Sequence, residues 1–594
     1  MRSQALLLFY PQASVSDLRL AQLADFLGVS CEVISVSSLE SALDRMSHAG
    51  YAESPCVLAS AVSLARLVEG NRSSFRLIEH LCKLARSLFI YGFSPKIDPR
   101  TVRYLTGDGI SSVSSFDNSN LFYKIESPCR AITGELSGLS LGPIHNDTEF
   151  GFVLSSNLKK FSTLISISGL PFWGCFQREQ CLVFVLACSD VVDINQGIDG
   201  SFRLADHFAH LMPYAMLLKY LFREGCWHSQ NRLANFLIDD PLLRESYGFL
   251  NYRQLLGKTD KSGFSATVAF IPWNYKRTHK KTAKLIQAHP DRLSICIHGC
   301  DHTNGEFTAT DLRLLNIKSR LASDRMRAHQ ALTGLPCAKI MVFPQGRFSS
   351  QALKALKSNN YIAAVNSHAI PENLEMDHGL AVSDFLDVAI TKYESFPLFL
   401  RRYPPSIVEF AFDLFFGKPL LAVEHHKYFQ DGYQELIEFV AKVSSIAPKL
   451  DWNGLEDVLV RQYLQKEGDD GITYCKIYTN YQIIENRSDQ LKTYLITKSE
   501  TGNVPVGQVL VNGEPIEFSL SKDVLRLVLE IAPRTAATIH IVYISNLPYE
   551  GKIQGLIESG RVCARRTLSE FRDNFLSKNE FVLSLAYGVK NKLF

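Results

Sequence analysis

Ala234-Asn235-Phe236-Leu237-Ile238-Asp239-Asp240-Pro241 is an apolar run that ends in two adjacent carboxylates. Further along, Leu293-Ser294-Ile295-Cys296-Ile297 runs in the same way into His298-Gly299-Cys300-Asp301-His302. Apolar runs of this length read as buried strands, so both sets of polar groups are expected where a strand meets its loop. In α/β barrels and open α/β sheets, active sites gather at that end of the strands. Fold and chemistry are therefore read from the same residues.

The residue types suit a hydrolytic metal site. Zinc takes imidazole nitrogen and carboxylate oxygen, and a catalytic zinc keeps three protein ligands with one position open. Asp240, His298 and His302 supply such a set. Asp239, left uncommitted beside a ligand, suits the general base that takes the proton of an attacking water. Alone, an Asp-Asp pair is usually a solvated turn and a His-x-x-x-His pair is usually surface or core. The two together, each at a strand end, make the metal reading the better one. Cys300, between the histidines, reads as a loop bystander.

A third element follows, Phe343-Pro344-Gln345-Gly346-Arg347-Phe348 after an apolar stretch, and a fourth, Leu420-Leu421-Ala422-Val423-Glu424-His425-His426. Asp-Asp, His-x-x-x-His, Pro-x-Gly and a late strand ending in His, in this order, resemble the polysaccharide deacetylase (NodB-homology, carbohydrate esterase) superfamily. The extended first motif, Asp-Asp-Pro-Leu-Leu with Tyr247, Gly248 and Tyr252 after it, resembles its divergent exopolysaccharide-type branch. The likeness covers roughly residues 228 to 465.

The resemblance implies that Asp239 is the base, that Asp240, His298 and His302 bind the metal, and that His425 protonates the leaving amine, with His426 close behind. Pro344, Gly346 and Asp301 take supporting roles. Family members carry an Arg just before the Pro of the third motif, which holds the base. Here residues 341 to 343 are Met-Val-Phe; either the nearest arginine, Arg347, substitutes or the base is held differently. The implied activity is removal of N-acetyl groups from a sugar or polysaccharide precursor, with Zn2+, Co2+, Ni2+ or Mn2+ as cofactor. The alternatives are attack on another C–N or a glycosidic bond, and a barrel without activity that serves as a scaffold in polysaccharide assembly. The missing arginine motivates the last.

Outward from this centre the chain reads as multidomain α/β. Residues 1–224 form an N-terminal α/β accessory domain: apolar runs at 5–10, 31–36, 55–60 and 87–92 alternate with helical patterns. Its first turn, Pro11-Gln12-Ala13-Ser14, has no Gly-x-Gly-x-x-Gly, so a dinucleotide reading fails. Residues 225–468 form an irregular (β/α) barrel of about seven strands, with Asn366-Ser367-His368 as a candidate cleft lining. Residues 469–548 show short alternating runs and an Asn512-Gly513 turn, the pattern of a β-sandwich. Residues 549–594 are a helical tail, with Thr567-Leu568-Ser569-Glu570 as a capping box. Leu568, Phe571 and Phe575 give it an apolar face expected to dock on the domain or on a second copy of the chain. The same pattern repeats in Phe581 to Ala586.

Composition narrows the partners. Of 594 residues, 63 are Lys or Arg and 60 Asp or Glu, giving a net charge of +3. That balance calls for neither nucleic acid nor an anionic membrane and fits a neutral or sugar-like partner better; the resemblance implies an N-acetylated carbohydrate. The 13 cysteines form no Cys-x-x-Cys pair, and their odd count and core-like contexts favour reduced thiols and a cytoplasmic location. The apolar run Ala5 to Tyr10 is too short for a secretory signal. Leu204 to Phe222 carries Asp206, His207, His210 and Lys219, which reads as an amphipathic helix and not a membrane span.

Overall fold

A computed structural model describes residues 5–39, 41–42, 55–70, 75–116, 120–144, 148–156, 161–373, 379–500, 504–544 and 556–578. Two compact units result. One comprises Met1–His228 with Ala381–Ser383 and Gln465–Tyr474; the other comprises Ser229–Leu380, Asp384–Leu464 and Cys475–Phe594.

The first unit is built on a nine-stranded sheet. Cys31–Ser35, Ala5–Phe9, Cys56–Ser60, Ser87–Tyr91 and Cys181–Leu186 run parallel in that order. Leu170–Arg178, Ser162–Ile167, Leu121–Ile125 and Ser140–Ile144 extend it antiparallel. The helix Phe208–Phe222 is buried at most of its positions, so it is a core helix and not one with a single apolar stripe. Among the described residues no helix is long and apolar enough to cross a membrane. All thirteen cysteines are free.

The second unit contains the barrel. Seven parallel strands lie in the order Leu398–Leu400, Ala363–Asn366, Ala338–Val342, Leu293–His298, Ala266–Phe270, Leu233–Asp239 and Leu420–His425. Every residue of Leu233–Asp239 is buried, which is why its sequence is nearly continuous in apolar residues. The two outer strands almost close the barrel. Arg402 N donates to the Leu421 carbonyl (2.9 Å), and Val423 N donates to that of Arg402 (3.0 Å). Leu398–Leu400 is the strand that sequence patterning misses. Three residues are too few to show a period.

Beyond the barrel, two antiparallel sheets face each other. One contains Thr473–Lys476, Lys492–Ser499, Val524–Ile531 and Ser519–Ser521; the other contains Tyr481–Glu485, Ala536–Tyr543, Val506–Val511 and Glu514–Pro515. Leu525, Leu527 and Ile531 from one and Ile539 and Ile541 from the other share a core. Asn512 and Gly513, both at positive φ, turn Val506–Val511 into Glu514–Pro515. A buried ionic cluster ties this sandwich to the barrel. Glu500 accepts from Lys357 of the helix Ser350–Ser358 (2.6 Å), from Lys498 (2.5 Å) and from the Tyr543 hydroxyl (2.5 Å).

The helix Leu556–Asn574 runs unbroken through Thr567–Glu570, so that tetrad starts no helix. Within it, the Thr567 hydroxyl bonds back to the Cys563 carbonyl. Leu568, Phe571 and Phe575 are 69%, 51% and 65% exposed, so this face does not dock on the chain's own described residues. Phe581 to Ala586 lies outside the described residues.

Loss of a partner from a buried ionic cluster typically costs about 3–5 kcal/mol, so Glu500→Ala should lower unfolding free energy by about that much in a denaturant titration. Burial raises the Glu500 carboxyl, but Lys498 and Lys357 outweigh it and hold the group below its ordinary range. Its stabilisation is therefore complete above the unfolded-state value and is lost as pH falls through the lower folded value. Glu500→Gln should flatten that acid-side decline.

Candidate active site

Asp239 ends the strand Leu233–Asp239, and Asp240 leaves it at φ +82°. Side chains alternate across a strand. The left-handed turn at Asp240 suspends that alternation, and both carboxylates act on His298, the last residue of Leu293–His298. Asp240 Oδ1 lies 3.3 Å from His298 Nε2 and 3.0 Å from His302 Nε2.

These three residues fit a divalent metal. Tetrahedral ligands about 2.0–2.1 Å from zinc are about 3.3 Å from one another, close to the separations found. Their donor atoms all lie within 4.8 Å of each other. His298 Nδ1 is 3.0 Å from the Val342 carbonyl. A carbonyl only accepts, so Nδ1 carries the proton and Nε2 presents its lone pair to the cluster. Asp240 Oδ1 is buried without a hydrogen-bond donor, a state that a cation would relieve. Burial pushes the Asp240 carboxyl up; while the imidazoles are protonated, His302 and His298 more than reverse this and hold it well below the usual range, the charge that a bound cation would supply in their place.

The second loop is held under strain. His302 has φ +55°, a conformation that costs about 1–3 kcal/mol in a non-glycine residue. The Glu306 carboxylate secures it by accepting from the backbone N–H groups of Cys300 (2.9 Å), Asp301 (3.0 Å) and His302 (3.1 Å). Gly299 makes this approach possible. At φ +62°, a Cβ there would meet Glu306 Oε1 at 2.1 Å and Pro344 Cγ at 2.4 Å. Gly346 has a similar role in the third motif, where a Cβ would meet the His368 ring at 2.6 Å. Asp301 pairs with Arg325 (2.6 Å), which braces the loop. Cys300 is fully buried with its Sγ against Arg325 (3.3 Å) and is not part of the Asp240, His298 and His302 cluster.

Asp239 is held by Arg401, which donates two parallel hydrogen bonds of 2.8 and 2.7 Å to its two oxygens. Burial raises the Asp239 carboxyl, but Arg401 and His298 outweigh it and keep the group below its ordinary range. The Arg401 Nε in turn donates to Ser367 Oγ (3.3 Å). Arg347 does not fill this place. It is partly exposed, follows the Gly346 turn and pairs with Glu372 and Asn304. Arg401 was missed because it follows the short strand that patterning does not reveal, although Arg401-Arg402 after an apolar run was a usable signal.

His425 is the direct register partner of Asp239 on the neighbouring strand, so the two side chains share a face, and the charge of His425 acts on Asp239. His426 turns away. It packs between Tyr247 and Phe249 with Nε2 3.6 Å from Asp573 Oδ1.

No protein-family model matches the sequence. A search of curated proteins also gives no match. The solved structures that resemble the chain do so over about two-fifths of its length. A deacetylase solved with substrate is 16% identical over 39% of this chain and 90% of its own, with a TM-score of 0.24. A family 4 carbohydrate esterase from Bacillus anthracis is 13% identical over 39% and 84%, also at 0.24. One from Streptomyces lividans, in complex with acetate, is 12% identical over 37% and 91%, at 0.24. Likeness this distant adds nothing to the geometry, which stands by itself.

The purified chain should hold about one zinc or similar ion, measured by elemental analysis. His298→Ala and His302→Ala should each lose it. Gly299→Ala should lose most of it without touching a ligand, since Glu306 and Pro344 must move. Full occupancy in the double histidine variant would place the metal elsewhere.

Proposed function

We propose that this chain is a metal-dependent hydrolase that removes N-acetyl groups from a sugar or polysaccharide precursor. One observation carries the reading. An Asp-His-His cluster of ligand geometry lies beside a second carboxylate that is buried, ionised and bound by an arginine. A divalent metal in such a cluster lowers the pKa of its water and polarises a carbonyl. Zn2+, Co2+, Ni2+ and Mn2+ all suit two imidazoles and a carboxylate.

The chain's own groups supply the proton transfers. Asp239 accepts the proton of the attacking water at a carboxylate oxygen. Each oxygen bonded to Arg401 keeps a further lone pair for this, and the paired bonds fix the plane of the carboxylate. His425, on the same face, gives a proton to the departing nitrogen. The C–N bond breaks, and acetate and the free amine leave. The ground for an inactive scaffold was a missing arginine, and Arg401 meets that need from a different strand.

Acetate release from N-acetylated oligosaccharides tests the roles. Asp239→Asn should keep metal and lose turnover by about a hundredfold or more, whereas Asp240→Asn should weaken metal binding. Equal loss of metal in both would refute this division. Arg401→Met should keep metal yet slow turnover, and because the largest influence opposing the burial of Asp239 is then gone, the acidic limb of the pH–rate profile should move to higher pH. Arg347→Met should change neither. His425→Ala should keep metal, lose about a hundredfold in rate and abolish the alkaline limb, with His426→Ala milder; the reverse ranking would move the acid to His426.

A further inference from the structure

The helix Leu556–Asn574 docks by charge on the loops around the candidate site. Glu570 pairs with both terminal nitrogens of Arg277 (2.5 and 2.7 Å), in the loop after Ala266–Phe270. Asp573 accepts from the Tyr247 hydroxyl (2.7 Å), lies 3.6 Å from His426 Nε2 and pairs with Arg572 (2.7 Å). Asn574 Oδ1 accepts from Gly248 N (2.9 Å). Tyr247 and Gly248 belong to the loop after Asp240, and His426 follows His425. The helix therefore lies at the strand ends that carry the Asp-His-His cluster.

Arg566 stands on this docking face, one turn before Glu570 and two before Asp573. It is 3% exposed, its Nε has no hydrogen-bond partner, and no carboxylate reaches it among the described residues. Both acids on its own face are already taken. Burial and Asp573 raise the Tyr247 hydroxyl, Arg566 opposes them and Asp240 adds to them, so Arg566 and Asp240 act on one and the same hydroxyl. A buried cation is ordinarily paired, and a guanidinium is matched in shape by a carboxylate or a phosphate.

We propose that Arg566 receives an anionic group, carboxylate or phosphate, carried by the substrate close to its N-acetyl sugar. This rests on the deacetylase reading and narrows its substrate to an acidic saccharide: a uronic-acid glycan or a phosphorylated or phosphate-linked sugar.

The test is calorimetric binding of sodium glucuronate and of inorganic phosphate to the zinc-loaded full chain. Wild type should bind at least one of them, and Arg566→Gln should weaken it roughly tenfold or more with zinc content unchanged. Arg565→Gln, an exposed neighbour, should bind as wild type does. Arg566→Lys keeps charge and stem, should weaken binding by less, and carries the test if the glutamine variant does not fold. Tighter glucuronate binding would indicate a uronic-acid glycan, and tighter phosphate binding a phosphorylated sugar. Absence of binding to wild type, or equal binding by the Arg566 variants, overturns the proposal. Because the readout is binding, Arg566-dependent anion capture without acetate release would overturn the deacetylase reading and leave the anion site standing.

Discussion

A guanidinium and a carboxylate buried together, Arg401 against Asp239, tie the barrel to its site. Either group alone in that interior would be costly, since an ion taken from water without a partner loses several kcal/mol. Together they are neutralised, but only at one geometry, with both nitrogens on both oxygens. That geometry requires the outer strand to come round and face the first. Arg402, the next residue, makes the backbone bridge to Ala422 that brings the two edges together, and Arg401 N is held by the Asn366 carbonyl. Closing the barrel and fixing the candidate base are thus one structural event.

The cluster beside the base is assembled by different means. Asp240 and His302 sit in left-handed backbone conformations that non-glycine residues seldom adopt. Such strain persists only where the surroundings over-determine it. Here Glu306 gathers three consecutive backbone N–H groups, and Gly299 gives it room to do so. The Val342 carbonyl sets the His298 tautomer from the next strand. His298 and His302 are therefore each oriented by a group that does not itself enter the cluster, the arrangement that a precise metal geometry requires.

Around the mouth, polarity decides which face of the C-terminal helix turns inward. The loops there present Arg277, the Tyr247 hydroxyl, the Gly248 N–H and His426, all of which need polar partners when covered. Glu570, Asp573 and Asn574 supply them. The cost is that Leu568, Phe571 and Phe575 are left exposed on this chain. Hydrophobicity ranks the two faces one way and hydrogen-bond satisfaction the other, and the second governs this contact.

Much was legible in the sequence because the signals are local. The apolar runs ending in Asp239-Asp240 and His298 announced buried strands with polar ends. The adjacency of two acids and the spacing of two histidines pointed to the residues that cluster as Asp240, His298 and His302, and Asn512-Gly513 marked a tight turn. His425 closes the apolar run from Leu420 and lies level with Asp239, since parallel strands in register bring equivalent positions together. The sequence could not show what depends on contacts between distant segments. Arg401 lies 162 positions from Asp239 on a strand of three residues, so neither period nor spacing connects them. Arg347 was nearer the motif in sequence and wrong in space, where it pairs with Glu372 and Asn304. The inward face of the last helix was likewise settled by the charges of loops more than 290 residues away. Local chemistry is written along the chain; which ion meets which partner is decided only when the strands close.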